Sequence, residues 1–356
     1  MNQHTVTLTA DTFGAPSNHP RNSWWVAAFG DEVNRTPLAR WLLERPVVLF
    51  RREDGTPVAL EDRCPHRWAP LSDGVLHGDE IACPYHGFRF GTDGVCTNVP
   101  SQKNVPDGTR VHSYPVIESG PFIWIWMGEP ERAGESAPVE LPWWQDPDWV
   151  HFCDAMQVGC NYMMIQENVL DLTHFGFLHA DTLAQTGWTD GSFEVARKDG
   201  QVRYDNTFEN IRLAPAQAIP TGIGTEKPVR RADWGVFYAP AIHVAGSDIT
   251  DPAVADGQRN QWQGRIVHAT TPIDSRSCHY WWLMARDYGT EDAAGLGMAK
   301  ELVIATFQQD KDVCEAIQER IDRDGRGNDV REVSVRADRA GLYARNAVDQ
   351  MVKRES

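Results

Sequence analysis

The tightest constraint on this chain is a pair of short loops, each offering one thiolate and one imidazole. Cys64-Pro65-His66 reads C-x-H, and sixteen residues lie between His66 and Cys83-Pro84-Tyr85-His86, which reads C-x2-H. For these four side chains to hold one metal group, the two loops must meet at one tip of a scaffold. Pro65 and Pro84 follow the cysteines and fix φ there, while Gly74, Gly78 and Gly87 permit tight turns beside them. Thiolates hold iron–sulfur clusters. Where two imidazoles replace two thiolates on one iron, the [2Fe–2S] centre loses negative charge at that iron and its potential rises. A structural zinc site takes the same ligands, but its pairs usually open as C-x2-4-C. Matched C-x1-2-H loops favour the [2Fe–2S] centre.

At 356 residues the chain has room for two domains. Its 41% hydrophobic and 24% charged residues are those of a soluble globular protein, and a net charge of −16 argues against nucleic acid or an anionic membrane as partner. The absence of an 18-residue apolar run predicts no transmembrane helix. Met1 to Asn22 is polar, without the apolar core of a secretory signal. Of seven cysteines, Cys96, Cys153, Cys160, Cys278 and Cys314 are scattered and read as free thiols, which suits a cytoplasmic location.

The expected class is α+β, in three parts. Residues 1–20, poor in apolar side chains, read as an extension of low order. Residues 21–130 read as an all-β domain with the cluster loops at its tip. Val47-Val48-Leu49-Phe50 and Val58-Ala59-Leu60 flank an Asp54-Gly55 hairpin turn, Asp93-Gly94 marks another, and Phe122 to Met127 reads as a strand buried on both faces. Gly128 to Pro142, rich in Glu, Pro and Gly, reads as a linker. Residues 131–356 read as an α+β domain with an antiparallel sheet and flanking helices. Its expected helices are Tyr162 to Phe175, Ala299 to Arg323 and 331–352, and its strands Val202 to Phe208, Trp234 to Val244, Gln261 to Ala269 and His279 to Ala285. Residues 209–231 and 245–260, rich in Pro, Gly, Asp and Thr, read as long loops that shape a pocket.

A second metal site is written less densely. Asp171, His174 and His179 sit among apolar residues. Asp171 and His174 share a face if the segment is helical, whereas His174 and His179 diverge unless a π-bulge or a helix end near Gly176 brings them together. A non-heme Fe(II) site needs two histidines and one carboxylate, with positions left open. Asp310 falls on an apolar stripe of the long helix formed by Val303, Phe307, Cys314, Ile317 and Ile321. A metal would compensate its buried charge; packing histidines and an Asp–Arg pair are the alternative account.

Taken together, Cys64-Pro65-His66-Arg67-Trp68-Ala69-Pro70-Leu71-Ser72, Cys83-Pro84-Tyr85-His86-Gly87 and Asp171-x2-His174-x4-His179 with a later helical Asp310 resemble the Rieske non-heme iron oxygenases. The likeness is to the branch of vanillate and dicamba O-demethylases, and runs from about Asn22 to the last helix. It implies a [2Fe–2S] cluster on Cys64, His66, Cys83 and His86, and a mononuclear Fe(II) on His174, His179 and Asp310. Asp171 matches the acid that links the iron to the cluster of a neighbouring subunit, which implies a homotrimer. Asn168 would polarise the iron site or cap a helix. His268, and more weakly His243, match pocket residues. Arg51, Arg52, Arg63, Arg67 and Arg89 would steer an electron donor or stay merely solvated. The implied activity is that of a terminal oxygenase: O2 as co-substrate, with electrons from NADH passed on by a separate reductase or ferredoxin, since the chain carries no nicotinamide or flavin fingerprint. The expected reaction on a small aromatic substrate is O-demethylation to a phenol and formaldehyde. Methyl-group hydroxylation, N-dealkylation and ring hydroxylation are its neighbours, and a non-enzymatic Rieske electron carrier or a zinc-stabilised binding protein its rivals from other classes.

The cluster has a direct check. The purified protein should be red-brown with about two acid-labile sulfides per chain, and His66→Cys or His86→Cys should lower the reduction potential. A colourless protein with stoichiometric zinc would contradict the cluster.

Overall fold

The computed structural model describes residues 19–181, 191–198, 200–255, 257–324 and 332–355. Residues 1–18 of the expected extension and residue 331, the expected start of the last helix, lie outside the described residues. The chain divides into two compact units, one formed chiefly by His19–Leu141 and the other by Pro142–Thr270 and Ser275–Arg354.

The first unit is all-β. Its strands are β1 (Trp24–Phe29), β2 (Leu38–Leu42), β3 (Arg45–Arg51), β4 (Pro57–Glu61), β5 (Val75–His77), β6 (Glu80–Ala82), β7 (Arg89–Phe90), β8 (Cys96–Asn98), β9 (Ser113–Tyr114), β10 (Val116–Ser119) and β11 (Phe122–Trp126). They form three sheets of order β1-β11-β10, β2-β3-β4-β9 and β5-β6-β7-β8. β1 and β11 are buried along their whole length, as their unbroken apolar runs require. Trp24 pairs with Trp126 across them, the rings edge-on at 5.5 Å. Asp54-Gly55 turns β3 into β4 and Asp93-Gly94 turns β7 toward β8, with Gly55 at φ 87° and Gly94 at φ 77°, a region that glycine enters without steric cost. The stretch expected to be a linker is instead tied down. It contains 3₁₀ turns at Pro130–Glu135 and Pro142–Trp144, and Trp24 Nε1 donates to Ser136 O at 3.0 Å.

The second unit is built on one antiparallel sheet of β12 (Val150–Val158), β13 (Ser192–Lys198), β14 (Gln201–Arg212), β15 (Pro228–Tyr238), β16 (Ile242–Thr250), β17 (Gln261–Asp274) and β18 (Ser277–Arg286), in the order β12-β18-β17-β16-β15-β14-β13. Its helices are α1 (Tyr162–Leu170), α2 (Pro215–Thr221), α3 (Ala293–Arg323) and α4 (Arg339–Glu355). Three expectations are corrected here. Trp234 to Val244 is two strands, broken at Ala239-Pro240 where proline supplies no ladder donor. Residues 245–250 are strand rather than loop: Gly246 serves packing, since a Cβ there would lie 2.5 Å from the Trp234 ring. Residues 209–231 hold the end of β14, helix α2 and the start of β15, because cross-strand pairing from Ile211↔Val229 overrides a turn-like composition. Strands β12 and β13, neither with an unbroken apolar run and both largely open to solvent, are additions to the expected set.

Helix α3 starts earlier than its apolar stripe suggests, because Asp292 caps it by accepting from Gly295 N at 2.8 Å. Its buried face runs Thr306, Phe307, Asp310, Cys314 and Gln318. The stripe therefore passes through Gln318 instead of Ile317, which is exposed. Gln318 is held there by accepting from Asn161 N at 2.9 Å.

Candidate active site

The two cluster loops are built to one pattern. Cys64 N donates to Ala69 O at 2.9 Å and Trp68 N to Cys64 O at 2.8 Å; Cys83 N donates to Phe88 O at 2.8 Å and Gly87 N to Cys83 O at 3.0 Å. The equivalent positions Trp68 and Gly87 both take positive φ, 64° and 71°. At Trp68 this is a strained conformation for a bulky side chain. Asp62 braces the first loop, accepting from Ser72 N at 2.7 Å and Ser72 Oγ at 2.6 Å. Cys64 and Cys83 sit in the core with Val48, Phe50, Leu71, Ile81 and Phe90. His66 and His86 are exposed above them, their rings 4.5 Å apart. Burial pushes the Cys64 thiol up to about 11, with the adjacent Cys83 adding to it. A thiol held so high needs a metal in place of its proton to act as a thiolate. Buried sulfur donors with paired, exposed imidazoles beside them fit a [2Fe–2S] cluster, which Cys64, Cys83, His66 and His86 would hold. Of the nearby arginines, Arg51 pairs with Glu118, Arg52 with Asp79 and Arg63 with Glu61. Arg67 and Arg89 make no ion pair among the described residues.

The second centre lies in the other unit. Helix α1 ends at Leu170, Asp171 is extended at φ −113° and ψ 101°, and a 3₁₀ turn spans Leu172–Gly176. The 3₁₀ turn ends at Gly176, between the two histidines, and this ending, rather than a π-bulge, brings His174 toward His179. The ring centroids stand 5.0 Å apart. The Asp171 carboxylate caps the 3₁₀ turn through Oδ1, accepting from Thr173 N at 2.8 Å and Thr173 Oγ1 at 2.6 Å. Its backbone carbonyl, not its side chain, lies 2.5 Å from His174 Nδ1.

Asp310 reaches the same point from α3. Its Oδ1 lies 3.1 Å from His179 Nε2 and 3.5 Å from His174 Nε2. One donor atom from each of the three side chains falls within 4.8 Å of the others. Asn168 Nδ2 donates to Asp310 Oδ1 at 3.0 Å, and His179 Nδ1 lies 2.9 Å from Gln309 Oε1. With Nδ1–H of each histidine engaged by an oxygen, both Nε2 lone pairs point to the shared position. Such outer contacts orient metal-bound histidines. Burial alone would raise the Asp310 carboxyl; in the metal-free protein, donation from Nε2 of His174 and His179 in their protonated form outweighs it and holds the group down at about 2. Two imidazoles and one ionised carboxylate on one side of an open cavity fit a mononuclear Fe(II) site.

The cavity beyond the triad measures about 280 Å³ and is mostly apolar, with Val169, Leu172, Ile266, Met284, Leu302 and Phe307 among its lining residues. His268 and His243 stand in its wall, stacked at 5.4 Å. Burial keeps both neutral, His268 at about 3 and His243 well below its ordinary value. His268 Nδ1 meets the Tyr280 hydroxyl at 2.7 Å. Segments 209–231 and 245–260 do contribute to the wall, through Ala214, Ala216, Gln217, Ala245, Gly246 and Ser247. Gln309, Tyr280 and Arg286 were not singled out from the sequence. Only Arg286 left a signal there, a charged residue in phase with Trp282 and Met284 on an apolar strand.

Residues 158–354 match the family model of the vanillate O-demethylase oxygenase C-terminal domain, and residues 23–115 that of the Rieske [2Fe-2S] domain. The chain belongs to the vanillate O-demethylase family of Rieske oxygenases. It is 33% identical over 312 residues to a putative toluene-4-sulfonate monooxygenase iron-sulfur subunit, TsaM2, of Comamonas testosteroni, covering 84% of this chain and 88% of that protein. A crystal structure of dicamba monooxygenase bound to 3,6-dichlorosalicylic acid superposes with a TM-score of 0.88 at 28% identity, over 96% of this chain and 99% of that one. Another, with non-heme iron and dicamba, gives 0.81 at 28% identity, over 95% and 99%. This Rieske oxygenase is therefore an oxidoreductase, the terminal oxygenase component of a multicomponent system, carrying a [2Fe–2S] cluster and a mononuclear iron. No helix among the described residues is long and apolar enough to cross a membrane.

The contacts around the triad set an expectation for metal retention. Asn168→Ala and Gln309→Leu should each weaken iron binding about tenfold to a hundredfold, measured by chelator competition, while the cluster's visible absorption stays unchanged. Unaltered iron affinity in both variants would assign these side chains to packing alone.

Proposed function

We propose that this oxygenase catalyses oxidative O-demethylation of a small methoxy-aromatic, with iron held by His174, His179 and Asp310 and the cluster by Cys64, His66, Cys83 and His86. The observation that carries the reading is the triad's position in the wall of a largely apolar cavity of about 280 Å³, a space for one aromatic molecule with its oxidised carbon beside the metal. The activities of relatives, dicamba O-demethylase and vanillate O-demethylase among them, point the same way. The balance is ArOCH3 + O2 + NADH + H⁺ → ArOH + HCHO + H2O + NAD⁺, the electrons arriving through a separate reductase. The hydroxymethyl ether formed first loses formaldehyde without further oxidation.

When bound, the two metal groups supply electron transfer and O2 activation, chemistry that belongs to the cofactors. The chain's own residues place and isolate the reaction. Asn168 fixes the Asp310 carboxylate, and the Asp171 carbonyl and Gln309 hold the imidazoles in the tautomer that presents Nε2. Val169, Leu172, Ile266, Met284 and Phe307 exclude water from the substrate carbon. His268, neutral and held by Tyr280, offers a hydrogen bond to a polar ring substituent without adding charge near the iron. Cytoplasmic location fits the five cysteines outside the cluster, none of them in a disulfide. Formaldehyde release from a panel of methoxylated aromatics is the test. One substrate at least should yield about equimolar formaldehyde and phenol, and His174→Ala, His179→Ala and Asp310→Ala should each abolish it while leaving the cluster absorption intact. Products hydroxylated only on a ring or on an aryl methyl group would redirect the assignment to those reactions.

The same reading places electron transfer between subunits of a head-to-tail homotrimer, in which a heterologous interface closes into a ring. Asp171 would accept a hydrogen bond from His86 of the partner subunit. Its Oδ2 makes no hydrogen bond among the described residues and the group is only partly buried, while His86 is exposed. Asp171→Asn keeps an oxygen for the Thr173 cap but removes the charge that strengthens such a bond. The variant should retain both metals and the trimer, yet reoxidise its reduced cluster under O2 and substrate far more slowly. Wild-type reoxidation in an intact variant trimer would exclude the route through Asp171.

A further inference from the structure

The cavity has two polar ends. At one, His243 and His268 pair across β16 and β17, and Phe307, three residues before Asp310 on α3, meets His268 at 5.6 Å. This end adjoins the triad. Four residues further along β16, on the same face, stands Ser247, paired with Gly264 of β17. Arg286 of β18 joins that row: Asp287 N donates to Gln263 O at 3.1 Å, and Arg286 itself pairs with Val150 of β12. Four strand residues separate the two rows by about 13 Å.

Helix α3 gives a second ruler. Lys300 Nζ lies 3.7 Å from Asp154 Oδ2 and Lys311 Nζ 2.8 Å from Gln157 O, so α3 runs in the same direction as β12. The cavity-lining residues Ala299 and Asp310 are then about 16 Å apart along the helix axis, with Ala299 toward the Arg286 end.

The remote end holds an uncompensated cation. Arg286 is 8% exposed, and its Nε has no hydrogen-bond partner among the described residues. Among the described residues its Nη2 reaches only Gly289 O, at 3.4 Å, and its guanidinium lies 5.5 Å from the Tyr288 ring centre. No carboxylate lies within ion-pair distance of it among the described residues. The neighbouring arginines differ: Arg265 pairs with Asp248 at 2.7 Å, and Arg231 with Asp233 at 2.7 Å. Asp233 also lines the cavity, but Arg231 already neutralises it. Beside Arg286, the buried Ser247 hydroxyl has no partner either. Arginine cannot shed its proton, and an unpaired buried charge is costly, so this end lacks an anion.

We propose that Arg286, assisted by Ser247, anchors an anionic group of the substrate, a carboxylate or sulfonate, at the end of the cavity remote from the His174–His179–Asp310 triad. The substrate is then an elongated aromatic anion whose charge lies more than one ring's length from the oxidised carbon. The placement relative to an oxidised carbon rests on the function proposed above; the anchor itself does not.

Ligands with no methyl group to lose separate the two. Titration calorimetry on the metal-loaded protein would compare biphenyl-4-carboxylate, biphenyl-4-carboxamide and benzoate. The biphenyl acid should bind about tenfold or more tighter than its amide and than benzoate, a factor of ten being worth about 1.4 kcal/mol. Arg286→Gln should abolish the preference for acid over amide while leaving amide affinity unchanged, which also shows that the cavity is intact. Arg286→Lys should retain part of the preference, and Ser247→Ala should reduce it. Equal binding of acid and amide by the wild-type protein would overturn the anchor, as would an undiminished preference in Arg286→Gln. Benzoate binding as tightly as the biphenyl acid would overturn the remote placement. Formaldehyde release from 4′-methoxybiphenyl-4-carboxylate is scored separately. Tight, Arg286-dependent binding without it would fault the reaction and leave the anchor standing.

Discussion

One carboxylate governs the catalytic unit. Asp310 is 4% exposed, and a buried carboxylate without compensation costs several kcal/mol. Everything that faces it answers that cost: two imidazole nitrogens, the Asn168 amide, and the metal position that the three ligands define. The long α3 helix supplies rigidity, since Phe307 packs on His268, Tyr280 and Trp282 one turn away. The 3₁₀ turn that ends at Gly176 supplies the other side, because an unbroken helix would aim His174 and His179 apart. The site is thus assembled from a helix that must continue and a helix that must stop.

The two metal centres are built on different principles. The cluster loops are local structures, each closed by its own backbone hydrogen bonds and seated on core cysteines. They hold their geometry with little help from distant sequence, which suits a group bound at a tip with its histidines toward solvent. The iron triad draws on segments more than 130 residues apart and depends on a sheet, a helix and a cap all being in place. A change far from the metal, at Gln309 or in the packing of α3, acts on it through ligand orientation.

The apolar cavity joins the triad to the sheet. Neutral histidines at its inner end offer hydrogen bonds without placing a second positive charge beside the iron. Glycines set its shape as much as large side chains do: a Cβ at Gly235 would lie 2.3 Å from His243 Nε2, and one at Gly246 would meet the Trp234 ring. Gly246 is also among the residues through which 245–260 reads as a loop in sequence.

The chain's own letters determined the paired Cys–His loops, the all-β first unit, the pair of histidines and the helical position of Asp310. Each of these is a short-range pattern: a two-residue spacing, a period of two or a helical stripe, with chemistry attached to the residue type. Tertiary structure alone decided the rest. The stop at Leu170 depends on what the following turn can bond, and Gln318 rather than Ile317 enters the core because Asn161 meets it from another segment. The edge strands β12 and β13 exist because β18 and β14 complete their ladders. The partners of Asp310, Asn168 and Gln309, are ordinary amides in sequence, and Arg286 is an ordinary charge at a strand end. What distinguishes them is the company that folding brings, and a pairing across 142 residues leaves no mark in local composition.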